Sequence, residues 1–483
     1  MTKYDPTIGL EVHAELKTQT KMFCGCLNDS NETTPNVNVC PICLAHPGSL
    51  PTINKAAVEA VIKIGYAIGG SILNHCKFDR KSYFYPDLPK GYQISQYDLP
   101  LVKGGELAGV AVERIHLEED TASSSHSDDG SLVDFNRAGL PLMELVTKPV
   151  IKSSEEALRF AKELQLTLRY LGISDADMEK GQMRVEANIS IRPKQLFSGK
   201  KLGTKVELKN INSFKSVKDA IENEIERQRK LIEGGERVRQ ETRGWNENRR
   251  ESFPQRSKEE AADYRYMPEP DLPPIDFDKE GALNLQEIKE SLPELPYQKR
   301  VRFVKEYGLE NGSDELERLV DDRGEAEFFE EFVSELQAND GSKSMIKLGV
   351  NYLDSDLVGI MKEEKTSWDS LKVTPENFAE LIMMVENGKV SSRSAKDILR
   401  EMFVTGDDPS NIVERMDLTQ ITDEDAIVGV VQETLKENAS AVSDFHKGKE
   451  TALRFLIGQS MAKLRGRGNP VLVEKLLREH LSR

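Results

Sequence analysis

The stretch Thr7–Leu16, TIGLEVHAEL, decides how the rest of the chain is read. Its apolar side chains occupy every second position, Ile8, Leu10, Val12, Ala14 and Leu16, with Gly9, Glu11, His13 and Glu15 between them. That alternation is the pattern of a strand with one face in a core and one face in contact with water or a ligand. It sets Glu11 and His13 side by side on the polar face. A carboxylate and an imidazole held on a rigid strand can begin a divalent-metal site, since oxygen donors suit magnesium and a ring nitrogen can complete the shell. An ordinary solvated strand face has the same pattern, so the stretch alone leaves both readings open.

Outward from this strand, the next segment carries four cysteines, Cys24, Cys26, Cys40 and Cys43, as C-x-C followed by C-x2-C. Short paired spacings of this kind point to a tetrahedral zinc site, because the metal holds the thiols as thiolates. A redox dithiol is the rival reading, although it needs only one pair. Cys76 is left over and reads as a small apolar residue. Further on, FDRKSYFYPDLPKGYQISQYDLP interleaves Arg80, Lys81 and Lys90 with Phe78, Tyr83, Phe84, Tyr85, Tyr92 and Tyr97. Cations attract phosphates and aromatic faces stack unpaired bases, so this mixture fits nucleic acid; plain packing beside prolines also produces it. Glu144 stands alone in the apolar LPLMELV, where an unpaired carboxylate costs several kcal/mol, and it requires a cation. The pair Glu118-Glu119 is also acidic. Alternation through Ile115 and Leu117 puts Glu118 on the polar face and Glu119 on the apolar one, unless the strand breaks at Glu118.

Ser153 and Glu156 form a capping box for a helix carrying Leu158, Ala161, Leu164, Leu168 and Leu171 and closed by Gly172. RVEANISI is another alternating strand, and TKVELKN sets Lys205, Glu207 and Lys209 on one face. A second amphipathic helix ends at Gly234-Gly235. Strands and helices mixed in this way, with several strands adjacent in sequence, give an α+β domain. The proline-rich DYRYMPEPDLPP marks its end. The expected organisation is a mixed α/β catalytic domain over 1–291, an all-helical domain over 292–405 and a helical tail over 406–483.

The formal net charge of −16 argues against a protein that coats nucleic acid by neutralising phosphates. The charge is uneven, however. From Thr451 to Arg483 seven Lys or Arg face two acids, about +5, which leaves about −21 for the remainder. Such asymmetry points to a tail that contacts a polyanion, or to a solvated helical face. No apolar run approaches the roughly 18 residues that cross a bilayer, and MTKYDPTIGL has neither a basic leader nor an apolar core, so a cytoplasmic protein is expected. The pattern G-x-x-x-x-G-K-[ST] does not occur; Gly199-Lys200-Lys201 lacks the rest of it.

GLEVHAEL, FCGC…CPICL, PGSLPTIN, FDRKSYFYPDLPKGYQISQYDLP, HLEED, NRAGLPLMELV, GQMRVEANISIRP, ELKNINSF, RQETRGW and DYRYMPEPDLPP together resemble the B-subunit family of the aspartyl/glutamyl-tRNA amidotransferases. The resemblance runs from about Thr7 to the C-terminus. It implies a cradle-shaped α+β domain followed by two helical domains, the last contacting tRNA. It also implies a chemistry: ATP phosphorylates the side-chain carboxylate of Glu-tRNA(Gln) or Asp-tRNA(Asn), and ammonia from a glutaminase A subunit then displaces phosphate, with a C subunit completing a heterotrimer. The family's magnesium ligands fall on Glu11, His13, Glu119, Glu144 and Glu207, with Glu11, His13, Glu144 and Glu207 expected to be catalytic, and the cysteines match the zinc-binding version of the family. Arg184 and Lys209 are the residues expected to contact nucleotide. Glu186 stands where the family usually has aspartate, and Ala45-His46 where a glycine is more usual. The archaeal-type E subunit shares the cradle but needs an inserted domain for which this length leaves no room. A non-catalytic zinc-ribbon RNA binder is the alternative from another class, and the strand-borne carboxylates count against it.

Overall fold

The computed structural model describes residues 3–127, 130–194, 202–257, 264–279, 281, 283–339, 341–421 and 423–482. Asp128-Asp129 and Gly199-Lys200-Lys201 lie outside the described residues. The architecture is α+β, in two compact units spanning residues 1–296 and 297–483.

The first unit is built on a 10-stranded mixed sheet with the opening strand, Tyr4–Glu15, near its middle. Pro141–Thr147 lies antiparallel on one side of it, followed by Val110–Glu119. Met183–Pro193 lies antiparallel on the other side, followed by Val206–Ile211, then Glu241–Asn246 in parallel, then Glu251–Ser257. Alternation along the opening strand is as the sequence dictates: Ile8, Leu10, Val12 and Ala14 are buried at 0–1% exposure, while Glu11 and His13 are partly exposed.

Three helices close the apolar face, because their own apolar stripes need a partner. They are Lys55–Ala67, Ser154–Tyr170 and Phe214–Glu233. Val58, Ile62, Phe160, Leu164, Val217 and Ile221 from these helices share one core with Ile8, Leu10 and Val12. Each fully buried side chain of this size contributes about 1.5–3 kcal/mol relative to exposure. All three helices start on a side-chain cap. Asn54 accepts from the amides of Ala56 and Ala57, Ser153 from Glu156 and Ser213 from Ser216, and the Glu156 carboxylate in turn accepts from the Lys152 amide at 2.7 Å.

The regular elements of the second unit are, among the described residues, all helices. Pro375–Glu386 stops at Asn387, Ser392–Thr405 stops at a left-handed Gly406, and Pro409–Met416 starts on the Asp408 cap, each at a place where the sequence carries the corresponding stop or start signal. Ile427, Val431, Leu453, Leu456, Val473, Leu476 and Leu477 form a separate core in its C-terminal part.

Candidate functional site

Antiparallel register assembles the polar face of the sheet. His13 lies opposite Glu144 on one neighbour and opposite Arg184 on the other; Glu144 lies opposite His116, and Glu11 opposite Glu186. Since residues paired across strands share a face, four strands distant in sequence place a row of ionisable groups side by side. His13 Nε2 is 3.2 Å from Glu118 Oε1 and 3.4 Å from Glu144 Oε2, and His116 Nε2 is also 3.4 Å from Glu144 Oε2. Donor atoms of Glu11, His13 and Glu144 lie within 4.8 Å of one another, as do those of His116, Glu118 and Glu144.

The electrostatics of this cluster show an excess of negative charge. Burial, reinforced by the carboxylates of Glu144 and Glu186, pushes the Glu11 carboxyl up to about 7. Burial works against a charge on His13, but its bonds to Glu118 and Glu144 and their charges outweigh it and hold the imidazole well above its ordinary value. Glu118 and Glu144 are buried too, and the histidines hold them below the usual carboxylate range. His116 Nδ1 is buried without a hydrogen-bond partner among the described residues. Three oxygen and nitrogen donors converging on one point, one of them a carboxyl whose ionisation is opposed by burial and by neighbouring carboxylates, fit a hard divalent cation such as magnesium.

Further along the same face, Lys209 Nζ is 2.7 Å from Glu186 and 3.5 Å from Glu207, whose second oxygen accepts from Thr242 Oγ1 at 2.7 Å. A cleft of about 200 Å³ is lined by Glu11, His13, Glu118, Asp120, Arg137, Arg184, Lys81 and Lys209. Lys81, Tyr83 and Lys209 also line a wider cavity of about 1020 Å³ with Phe84, Tyr264 and Arg265. Phe84 is 89% exposed there, and Lys81 Nζ sits 5.1 Å from the Tyr264 ring centroid.

The cysteines gather as their spacing predicts. All four Sγ atoms lie within 4.8 Å of one another, with Cys40 and Cys43 at 3.8 Å. A tetrahedron with metal–sulfur bonds of about 2.3 Å has sulfur–sulfur edges of roughly 3.8 Å, so the set fits zinc. A bond from the Cys24 thiol, the Cys40 amide and the nearby Lys21 ammonium pull Cys43 down to about 5 against burial, while Cys24 shifts upward. Ala45, where a glycine was the more usual residue, has a left-handed φ of 57°.

Residues 6–282 match the model of the GatB/GatE catalytic domain, and residues 327–481 match that of the GatB domain. A protein of Thermoanaerobacter sp. (strain X514) is 44% identical over 490 residues, covering 100% of both chains, and one of Persephonella marina is 44% identical over 487 residues, covering 99% of this chain and 100% of its own. Both carry the name of the B subunit of aspartyl/glutamyl-tRNA(Asn/Gln) amidotransferase. The chain belongs to the GatB family.

In this GatB chain the residues expected to bind magnesium divide into three. Glu11, His13 and Glu144 come together. Glu207 is on the same face but beyond Glu186, engaged by Lys209 and Thr242. Glu119 does not join them: the strand continues regularly to its end, so Glu119 turns to the opposite face, where it accepts from Lys90 Nζ at 2.8 Å and from the Ile94 amide at 3.0 Å. It borders a cavity of about 280 Å³ beside Cys24 and Cys43. Its neighbour Glu118 takes the position at His13. Of the expected nucleotide contacts, Arg184 is half-exposed in the cleft, 3.8 Å from Asp120, and Lys209 is shared by both cavities. Asp120, Arg137 and His116 escaped sequence reading. His116 carries the alternation of its own strand, so the signal was there; Arg137 sits in a turn, where no period exists.

Proposed function

We propose that this chain is the B subunit of a tRNA-dependent amidotransferase and that its sheet face activates the side-chain carboxylate of Glu-tRNA(Gln), Asp-tRNA(Asn) or both. A carboxylate is a poor electrophile. Transfer of the ATP γ-phosphoryl group to its oxygen, with release of ADP, supplies a leaving group; ammonia then attacks the carbonyl carbon, phosphate departs and the amide remains. Phosphoryl transfer asks a protein mainly for positioning and charge neutralisation. The observation that carries the reading is one continuous face on which Glu11, His13 and Glu144 converge while Lys81, Lys209 and Arg184 line the adjoining space.

Glu11, His13 and Glu144, with Glu118 supporting His13, are the residues to hold magnesium, which when bound neutralises phosphate charge. Lys81 makes no ion pair among the described residues and is the cation best placed to meet a transferred phosphate. Arg184 and Lys209 flank it. The aromatic wall of Tyr83, Phe84 and Tyr264 suits the unpaired end of a charged tRNA. The cysteines hold zinc in a structural role. No helix among the described residues is long and apolar enough to cross a membrane, and the work belongs in the cytoplasm beside partners A, supplying glutamine-derived ammonia, and C.

ATP hydrolysis by the chain reconstituted with its A and C partners, with and without Glu-tRNA(Gln), tests this. Hydrolysis that needs the charged tRNA and disappears in Glu11→Ala supports it; intact tRNA binding without any tRNA-dependent hydrolysis leaves a binding scaffold and refutes it.

A further inference from the structure

One buried lysine joins the cysteine site to the acidic cleft. Lys21 has no exposed surface, yet its Nζ donates to the carbonyl oxygens of Ala138 at 2.8 Å and Phe135 at 3.3 Å and approaches Cys43 Sγ at 3.9 Å. An ammonium taken wholly out of water needs a compensating charge. None of these partners is a carboxylate. Four thiolates around a divalent cation carry a net charge of about −2, which is a compensation that the two carbonyl partners do not supply.

Both carbonyls belong to the turn that carries Arg137. The turn is tied to the cysteine loop at further points: Asn136 donates to the Thr34 carbonyl at 2.8 Å and accepts from the Asn38 amide at 2.9 Å, and the Met22 amide donates to the Gly139 carbonyl at 2.8 Å. Arg137 reaches in the opposite direction. It donates to Glu15 and, at 2.6 Å, to Asp120, and it borders the cleft that holds Glu11 and His13.

We propose that Lys21 is a positioning residue that neutralises a metal–thiolate centre at the four cysteines and, through the Phe135 and Ala138 carbonyls, couples the occupancy of that centre to the placement of Arg137 at the cleft. The proposal rests on the reading of Cys24, Cys26, Cys40 and Cys43 as a divalent-metal site. Metal loss leaves the ammonium without its counter-charge, and the turn it anchors loosens at the cleft.

The test uses the full-length protein, wild type and Lys21→Met, which keeps the length and removes the charge. Zinc affinity by chelator competition is expected to fall about 10–100-fold in the variant, the usual cost of losing a group that supports a metal ligand. In the cobalt-substituted protein the thiolate-to-metal charge-transfer band is expected to move to lower energy, since a sulfur without its N–H donor gives up charge more easily. A lysine that merely braced the turn would leave that band in place. Hydrogen exchange over residues 133–139 is expected to speed up when zinc is stripped from the wild type, and this arm decides the coupling even where the variant does not fold. Unchanged affinity and band in the variant, or unchanged exchange on zinc removal, overturns the proposal. A wild type that binds no zinc overturns the metal reading itself, a result distinguishable from failure of Lys21 alone.

Discussion

His13 Nε2 lies 3.2 Å from Glu118 Oε1, although the strands that carry them are not neighbours: Pro141–Thr147 runs between them and contributes Glu144 to the same imidazole. The contact spans the width of a strand, and both carboxylates meet the same ring nitrogen. Glu118 therefore supports His13, the residue proposed to face a cation, whereas Glu119 pairs with Lys90.

The two neighbouring glutamates should part in a magnesium titration. Glu118→Gln is expected to raise the magnesium concentration for half-maximal tRNA-dependent ATP hydrolysis about 10–100-fold, as loss of a supporting carboxylate does elsewhere. Glu119→Gln should leave that midpoint within about twofold, in line with an oxygen directed away from the cluster. Equal shifts in both variants would mean that Glu119 joins the cluster after all.

Phe84 presents a ring that is 89% exposed beside Lys81, Tyr83 and Tyr264. A large aromatic surface left in water next to cations is a platform for a base, and stacking contributes about 1–3 kcal/mol per base. Phe84→Ala should raise KM for the charged tRNA about 5- to 100-fold while kcat changes little, because a stacking platform binds ground and transition states alike. A fall in kcat with constant KM would move Phe84 into the chemistry.

How far the sequence led depended on whether a signal was local. Glu11, His13, Glu186 and Lys209 each lie on a period of two that reads directly from TIGLEVHAEL, RVEANISI and TKVELKN, and the helices of the second unit read from their stripes and caps. The same period, taken at face value from Ile115 and Leu117, put Glu118 on the polar face; resemblance pulled toward Glu119, and the regular strand sets Glu118 beside His13 and Glu119 on the opposite face. What no local pattern could give is register. Glu144 had to find a partner, but that it would meet Arg114 at 3.7 Å and histidines from two different strands depends on which strands pair and in what alignment. Lys21 was illegible for a similar reason, since its partners are backbone carbonyls far along the chain.

Close packing makes two helical glycines respond oppositely. A Cβ on Gly349 would stand 2.1 Å from the Phe332 ring, which is itself fully buried. On Gly359, in the helix Val358–Glu364, it would meet nothing within 4 Å. Gly349→Ala should destabilise the helical unit by about 1–3 kcal/mol through overpacking, and Gly359→Ala should stabilise it by up to about 1 kcal/mol through helix propensity. Urea midpoints of the full-length variants check both signs.

Glu325 makes the stability of the helical unit depend on pH. It lies in the first turn of Arg323–Ala338, 8% exposed, with Oε1 lacking a hydrogen-bond partner among the described residues. Burial, with Asp322 and Asp354 adding repulsion, pushes its carboxyl up to about 7 from an ordinary 4.5. Between those values the folded chain holds a proton that the unfolded chain has released, so stability falls as pH rises through the window and the full penalty, about 3 kcal/mol, is present above pH 7. Below 4.5 both states are protonated and the penalty is gone. Glu325→Gln keeps the length and the capping amide but cannot ionise; it should therefore raise the unfolding midpoint at pH 8 and change it little at pH 4.5. Wild type and variant with parallel profiles across this range would show that the carboxyl ionises at no cost, and that water or a cation reaches it.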